Sequence, residues 1–196
     1  QTEEVKSAGR KVSSLEEFLH IAKEDFHEAY RIFTERHFSL ILSDQSEKIR
    51  SLYAGMSQQP VTYQHLEEFL IAAGAKEKVT LSLNREEAGF YDVSESVQES
   101  LYIHRSGWGH LRADIEVNGD FLEAGKHVVT EEDFIGSTCE INYVIRQEKL
   151  GKGNQYGEII VKTPYQKLVY HVLASRGTES AVNLDLLEKQ YRISLM

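Results

Sequence analysis

The stretch Leu111-Arg-Ala-Asp-Ile-Glu-Val117 decides the fold that this sequence predicts. Apolar and polar side chains alternate along it without interruption. Such alternation is the pattern of a β-strand with one buried face and one solvated face. The same period of two recurs between residues 78 and 175, so we expect antiparallel sheet throughout that region.

Turn signals divide residues 77–176 into short strands. Glycine-rich or polar turns are found at 106–109, 118–120, 130–133 and 151–154. About seven short strands with turns roughly every 8–12 residues are typical of an immunoglobulin-like β-sandwich. The paired cysteines of antibody domains are absent, because Cys139 is the only cysteine in the chain.

Residues 13–76 follow a helical period instead. Ser13 or Ser14 can open a capping box with the glutamate three residues later. Apolar residues then recur on one helical face as far as Phe33. Asp25 begins a second cap-like pattern, so the run predicts either one long helix or two helices with a tight turn at Glu24-Asp25.

Two more helices are expected before the sandwich. One runs from about residue 45 to residue 57 with Ser43 or Asp44 as its cap, and Pro60 interrupts the pattern. The next opens at Thr62 and ends near Gly74. The predicted fold class is therefore α+β: helical hairpins of three or four helices, then an immunoglobulin-like antiparallel sandwich of about seven strands.

The predicted organisation has four segments. We expect a linker or the end of a preceding domain over 1–12, a helical subdomain over 13–76, the sandwich over 77–176, and a linker with the start of a following helix over 177–196. This division, and a pattern that stops in mid-course at the last residue, predict a fragment of a longer protein.

Charge and composition exclude several partners. The chain has 22 basic and 31 acidic residues, a net charge of −9, without a basic stripe. Nucleic-acid binding needs clustered lysine and arginine, so it is not expected. No signal peptide and no apolar run of membrane-spanning length is present. The compartment is unknown from sequence, although a single cysteine favours the cytoplasm.

Three clusters resemble ion or phosphate sites, and each has a simpler interpretation. His20, Glu24 and His27 share a helical face suited to Zn²⁺, but we expect a solvated polar face. Residues 131–133 could hold Ca²⁺, but lack alternating ligands, so a turn or cap is expected. The glycine-rich stretch 151–157 lacks the helix that would hold phosphate, so we expect a loop with glycines at positive φ.

Two aromatic residues are candidates for a ligand platform. Trp108, on a glycine-flanked loop, could stack on a sugar ring, and Tyr156 could assist it. The alternative is that Trp108 caps the sandwich or packs against the helices, and we favour it. Cys139 alternates with apolar residues and is expected to be buried and unreactive. We predict no catalytic residue, no metal ligand and no cofactor.

Five stretches of the sequence carry a resemblance to other proteins: 22–33, 65–72, 118–123, 132–136 and 151–159. They resemble a family of large uncharacterised bacterial proteins, a domain-of-unknown-function group. The resemblance covers residues 13–176 and implies tandem immunoglobulin-like sandwiches, an inserted helical block and a helical-repeat tail. It implies no activity and no functional residues.

The sequence predicts a non-enzymatic structural or protein-interaction module within a larger bacterial protein. Its expected partner is protein, either another domain of the parent chain or a second molecule. The alternative function is a carbohydrate-binding β-sandwich that uses exposed aromatic side chains. An enzyme has no positive support in the residues.

Overall fold

A computed structural model of the protein describes residues 11–177. The chain divides into two compact units, which are described separately below. Among these residues, the first unit contains 11–79 together with Gly107–His110, and the second contains Thr80–Ser106 and 111–177. The linker predicted over 1–12 and the helix predicted over 177–196 lie almost entirely outside the described residues.

The first unit is helical. Within residues 11–177, no helix is long and apolar enough to cross a bilayer. The helices are α1 (Leu15–Glu24), α2 (Phe26–Phe33), α3 (Glu47–Met56) and α4 (Tyr63–Ala72), with a 3-10 helix over Arg36–Leu42.

Asp25 separates α1 from α2, so the second of the two sequence alternatives is correct. Its backbone is extended, with φ −144° and ψ 95°, which ends α1. Its side chain accepts a hydrogen bond from the Glu28 backbone N–H at 3.1 Å. One residue therefore ends the first helix and caps the second.

The cap of α3 differs from the prediction. Ser46, rather than Ser43 or Asp44, accepts the hydrogen bond from the Ile49 backbone N–H. A 3-10 helix over Arg36–Leu42 precedes this cap, and α3 itself begins at Glu47. Thr62 caps α4 as predicted, in a reciprocal capping box with His65.

Aromatic rings fill the core of the first unit. Phe18, Phe33, Phe38 and Phe69 are all at most 2% exposed. The Phe18 and Phe38 ring centroids lie 4.6 Å apart in an edge-to-face arrangement, and those of Phe33 and Phe69 lie 5.2 Å apart. Edge-to-face and offset pairs at these distances are favourable, so this cluster fixes how α1, α2 and α4 pack.

The second unit is a β-sandwich, and the predicted α+β fold class is confirmed. One sheet has the strand order β1-β3-β7-β5 and the other has the order β2-β9-β8-β4-β6. The strands are β1 (Thr80–Leu83), β2 (Glu87–Val93), β3 (Val97–Ser106), β4 (Arg112–Asn118), β5 (Leu122–Ala124), β6 (Val128–Thr130), β7 (Thr138–Ile145), β8 (Asn154–Lys162) and β9 (Lys167–Arg176).

Two details of the sandwich differ from the sequence expectation. The described residues contain nine strands rather than about seven, and the shortest of them, β5 and β6, have only three residues each. The pair β2–β9 is parallel, whereas the other pairs are antiparallel. The short connection from β1 to β2 crosses from one sheet to the other, and this places β2 beside β9 at the edge.

Buried side chains from both sheets meet in the core of the sandwich. The Tyr143 and Tyr170 hydroxyls, one from each sheet, form a 2.8 Å hydrogen bond while both residues are fully buried. Burial raises the pKa of the Tyr143 phenol. Cys139 is 1% exposed, so its predicted burial is confirmed, and burial raises the pKa of its thiol.

Candidate functional site

The two predicted platform residues belong to different units. Trp108 is part of the first unit and Tyr156 is part of the second. Each is therefore described within its own unit.

Trp108 is half-buried against the helical core of the first unit. The Lys76 Nζ atom lies 5.0 Å from the centroid of its ring, within the range of a cation–π interaction. The indole also lines a 580 Å³ depression with Leu19, His20 and Ala75. Trp108 thus packs against the helices, which is the interpretation that the sequence favoured.

A buried ion pair lies beside Trp108. The Lys76 and Glu67 side chains are 2% and 1% exposed, and the ammonium donates to the carboxylate. Lys76 also donates to the Trp108 carbonyl oxygen, and the His110 backbone N–H donates to Glu67 Oε2 at 3.2 Å. Burying a charge is costly unless it is paired and hydrogen-bonded, and both conditions are met here.

Gly109 allows the chain to pass close to this ion pair. Its φ is +104°, a backbone conformation that residues with a side chain rarely adopt. A Cβ atom at this position would lie 2.5 Å from Lys76 Nζ and 2.7 Å from Glu67 Oε2. Glycine is therefore required for both conformation and space.

Tyr156 lies on the outward face of the five-stranded sheet and is 77% exposed. It lines an open groove of 730 Å³, which falls in the size range of ligand sites. Tyr91, which is 64% exposed, lines the same groove. The side chains that line the groove include Arg85, Glu87, Tyr91, Tyr156, Glu158, His171 and Leu173.

Strand register arranges the groove in two neighbouring rows. In the first row, Gly89 of β2 pairs with Leu173 of β9, and Leu173 pairs with Tyr156 of β8. In the second row, His171 occupies the β9 position between a glutamate on β2 and one on β8. These glutamates are Glu87 and Glu158.

The Tyr91 ring lies across Gly89. A Cβ atom built on Gly89 would be 3.0 Å from both Cε2 and the hydroxyl oxygen of Tyr91. Because glycine has no side chain, the ring can lie along the sheet with much of its surface open to solvent. The groove therefore has an exposed aromatic ring on each side of β9.

The groove carries acidic charge that is not neutralised from within. Among residues 11–177, neither Glu87 nor Glu158 has a hydrogen-bond or ion-pair partner at its carboxylate. Arg85 lies 3.9 Å from the Glu99 carboxylate and donates to the Ser100 carbonyl at 3.5 Å. Its charge is therefore directed to Glu99 rather than to the groove glutamates.

The predicted polar face of α1 does not extend into α2. His20 Nε2 lies 3.2 Å from Glu24 Oε1 on the exposed surface, and the His27 ring nitrogen is 3.0 Å from the Tyr63 hydroxyl. Asp25 breaks the helix between them. Within residues 11–177, no group of three metal-binding side chains is close enough to hold an ion.

Residues 131–133 form a turn, as expected. They make a short 3-10 helix in which Asp133 accepts from the Thr130 backbone N–H at 2.8 Å. Lys126 Nζ donates to Asp133 at 2.5 Å, and Glu131 accepts from the Leu111 backbone N–H at 3.1 Å. The Glu131 and Asp133 carboxylates therefore hold the turn and the neighbouring residues together by hydrogen bonds.

The glycine-rich loop differs in part from the prediction. Gly153 has a positive φ of 76°, as expected. Gly157 instead lies inside β8, where an added Cβ would be 2.9 Å from the Asn118 carbonyl oxygen. This glycine is explained by close approach of the backbones rather than by an unusual φ.

We expect the stability of the Asp133→Asn variant to change less than that of wild type as pH falls below about 4. The hydrogen bond from Lys126 lowers the pKa of Asp133, so the folded value lies below the unfolded value of about 3.9. The contribution is present above about pH 4 and is lost as pH falls through the lower, folded pKa. Because the pair is partly exposed, the variant should lose about 1 kcal/mol or less at pH 7.

Urea unfolding between pH 2 and pH 7 measures this dependence. The difference in free energy of unfolding between wild type and Asp133→Asn should narrow as pH falls. Glu132→Gln should show the same pH dependence as wild type. A gap that stayed constant down to pH 2 would contradict the prediction.

Sequence reasoning identified Tyr156 but missed the rest of the groove. Tyr91 and His171 gave no signal, because an isolated tyrosine or histidine in a strand is ordinary. Their proximity depends on the parallel pairing of β2 with β9, which alternation alone does not predict. The spacing of two residues between Tyr156 and Glu158 does, however, place both side chains on one face of a strand.

The architecture is that of a helical unit joined in sequence to an immunoglobulin-like β-sandwich. The chain belongs to the family described as "Family of unknown function (DUF5717) N-terminal", which matches residues 1–196. This confirms the expected membership of an uncharacterised domain family. A search of curated proteins found no match.

The solved structures that are similar to this chain align with about half of its residues. The PapD-like domain 7 of human CEP192 has 7% identity over 49% of this chain and 84% of that one, with a TM-score of 0.37. WR4, a C. elegans MSP family member, has 5% identity over 49% and 96%, with a TM-score of 0.34. A family 123 glycoside hydrolase from Clostridium perfringens has 6% identity over 51% and 27%, with a TM-score of 0.39. These similarities are too low to carry a functional argument.

Proposed function

We propose that this chain is a non-enzymatic protein-interaction module of a larger multidomain bacterial protein. In that protein, helices over 13–76 and a sandwich over 77–176 act as structural units, with further sandwiches and a helical-repeat tail. The partner is protein, and the single cysteine favours a cytoplasmic compartment over an oxidising one. The proposal includes no nucleic-acid partner and no membrane-spanning role for this segment.

One observation carries the proposal: two tyrosines of the five-stranded sheet are largely exposed in one groove. Tyr91 and Tyr156 are 64% and 77% exposed. Tyrosine is enriched in protein interfaces and is a common anchor of binding energy. An exposed pair on a rigid sheet is therefore suited to contact another protein.

Affinity capture with the parent protein tests this function. We expect a discrete set of captured proteins that is lost in the double variant Tyr91→Ala/Tyr156→Ala. The control is Tyr102→Ala, which removes a 38% exposed tyrosine from the other sheet. The same captured set with the double variant, or with an empty matrix, would oppose the proposal.

Carbohydrate binding is a second candidate, and the exposure of Tyr156 favours it. Aromatic rings on a sandwich face can stack on sugar rings. Trp108 gives this candidate less support, because part of its indole is covered by the helical core. A glycan array separates the two functions, since specific glycan retention by wild type and not by Tyr156→Ala would favour carbohydrate.

A further inference from the structure

The groove contains two aromatic–carboxylate pairs. On β8, Tyr156 and Glu158 are two residues apart, and so they project from the same face. On β2, Glu87 and Gly89 are likewise two residues apart, and the Tyr91 ring lies across Gly89. Each side of the groove thus combines an exposed ring with a neighbouring carboxylate.

Strand β9 separates the two pairs. Because neighbouring strands are about 4.8 Å apart, the backbones of β2 and β8 are separated by roughly 10 Å. Leu173 lies between the two rings and His171 lies between the two carboxylates. The floor between the pairs is therefore apolar on one side and polar on the other.

The charge of the groove selects the occupant. Within residues 11–177, Glu87 and Glu158 have no partner at their carboxylates, whereas the groove cation Arg85 lies near Glu99. A ligand that enters therefore faces two carboxylates that no described residue pairs, with Arg85 and His171 as the other ionisable side chains of the groove. A cationic ligand gains from both, while a neutral one offers them only hydroxyl or amide donors.

We propose that this groove binds a basic segment of a partner protein through two arginine side chains. Each guanidinium stacks on one tyrosine ring and donates to the adjacent carboxylate: one on Tyr91 with Glu87, the other on Tyr156 with Glu158. The inference rests on the proposed protein-interaction function and adds the chemistry of the partner.

Arginine fits these pairs better than lysine. Its planar guanidinium can stack on an aromatic ring and at the same time donate two hydrogen bonds to one carboxylate. A lysine ammonium is a compact charge that is more strongly hydrated. Each pair, with a ring beside a carboxylate, matches the two functions of a guanidinium.

The separation of the pairs sets the spacing of the two arginines. An extended polyproline II segment rises about 3.1 Å per residue and repeats every three residues. Side chains at positions i and i+3 therefore project from one side and lie about 9 Å apart. This is close to the separation of roughly 10 Å between the β2 and β8 backbones on the two sides of β9. We therefore expect the partner sequence to contain Arg-x-x-Arg.

Isothermal titration of the full chain with a synthetic peptide tests the inference. The probe is acetyl-Gly-Arg-Gly-Gly-Arg-Gly-amide at low ionic strength, where charge pairs are least screened. We expect one binding site, with at least tenfold weaker binding when both arginines are replaced by lysine. No binding is expected when both are replaced by citrulline, which keeps the shape and removes the charge.

Variants of the chain separate the contributions of charge and ring. Glu87→Gln/Glu158→Gln and Tyr156→Ala should each weaken peptide binding at least tenfold. Gly89→Ala leaves every charge in place but should displace the Tyr91 ring, because the new Cβ meets it at 3.0 Å. We expect it to weaken binding several-fold.

The controls make matched changes outside the groove. Glu132→Gln removes one exposed carboxylate from the turn after β6, and Tyr102→Ala removes an exposed tyrosine from the other sheet. Both should bind the peptide as wild type does. Circular dichroism of every variant confirms that a loss of binding is not a loss of fold.

Four outcomes would overturn the inference. Three concern the peptide: the absence of peptide binding, equal binding by the citrulline peptide, and unchanged binding by Glu87→Gln/Glu158→Gln. A neutral oligosaccharide that binds in place of the peptide would also overturn it. Failure of the proposed function looks different, since captured proteins would then persist in Tyr91→Ala/Tyr156→Ala or be absent altogether.

Discussion

Replacing Lys76 by methionine is expected to destabilise the first unit by about 3–5 kcal/mol. The substitution keeps an apolar stem in the site but leaves the Glu67 carboxylate buried without its counter-charge. Breaking a buried ion pair by removing one partner has costs of this size. The methionine also removes the donor to the Trp108 carbonyl, which adds to the loss.

Trp108 makes the effect measurable in the unit concerned. It is the only tryptophan of the chain and lies beside Lys76 in the first unit. Its fluorescence during urea unfolding should show a lower midpoint in Lys76→Met. The control is Lys162→Met, which breaks an exposed pair with Glu116 and should change stability by less than about 1 kcal/mol.

A second variant keeps the prediction testable if Lys76→Met does not fold. In Glu67→Gln/Lys76→Met neither charge remains, and the glutamine oxygen can still accept from the His110 backbone N–H. We expect this double variant to be more stable than Lys76→Met alone. If Lys76→Met lost less than 1 kcal/mol, or the double variant were the less stable one, the ion pair would have little structural importance.

The sequence was most informative where one period persists over many residues. Alternation over residues 111–117 predicted β4, which spans Arg112–Asn118. The helical period and its cap residues predicted helix over α1 and α2, as one helix or two, and the opening of α4. Local hydrogen-bonding rules decide these elements, as the extended backbone of Asp25 illustrates.

Contacts between distant residues were not predictable from these patterns. Glu67 is an acidic residue within a helix and would ordinarily be assigned to solvent, yet it is 1% exposed. Its partners Lys76 and His110 lie 9 and 43 positions further along the chain. Only the three-dimensional packing brings them together, and one sequence carries no local signal of that kind.

Only part of the groove was predictable, because most of its residues are also distant from one another in the sequence. The sequence identified Tyr156 as a candidate platform, although it placed this residue in a loop rather than in β8. Its neighbours come from β2 and β9, and a parallel pair at a sheet edge has no short turn to reveal it. Pairing of that kind is decided by the whole sandwich rather than by the strands themselves.

Replacing Phe33 by alanine should also cost about 3–5 kcal/mol. The Phe33 ring is fully buried, with centroids 5.1 Å from Phe38, 5.5 Å from Tyr53 and 5.2 Å from Phe69. Alanine would remove this ring and leave a cavity between four elements that cannot all move inward. The Trp108 fluorescence midpoint in urea measures the loss.

Phe26→Ala is the matched control, since it makes the same change at the other end of α2. Phe26 is only half-buried and stacks on Tyr63 at a centroid distance of 6.0 Å. Less apolar surface is removed from contact and solvent can fill the space, so this variant should lose clearly less stability than Phe33→Ala. Equal losses at the two positions would mean that the aromatic cluster around Phe33 is not the centre of the helical core, and that the edge of α2 contributes as much as its buried end.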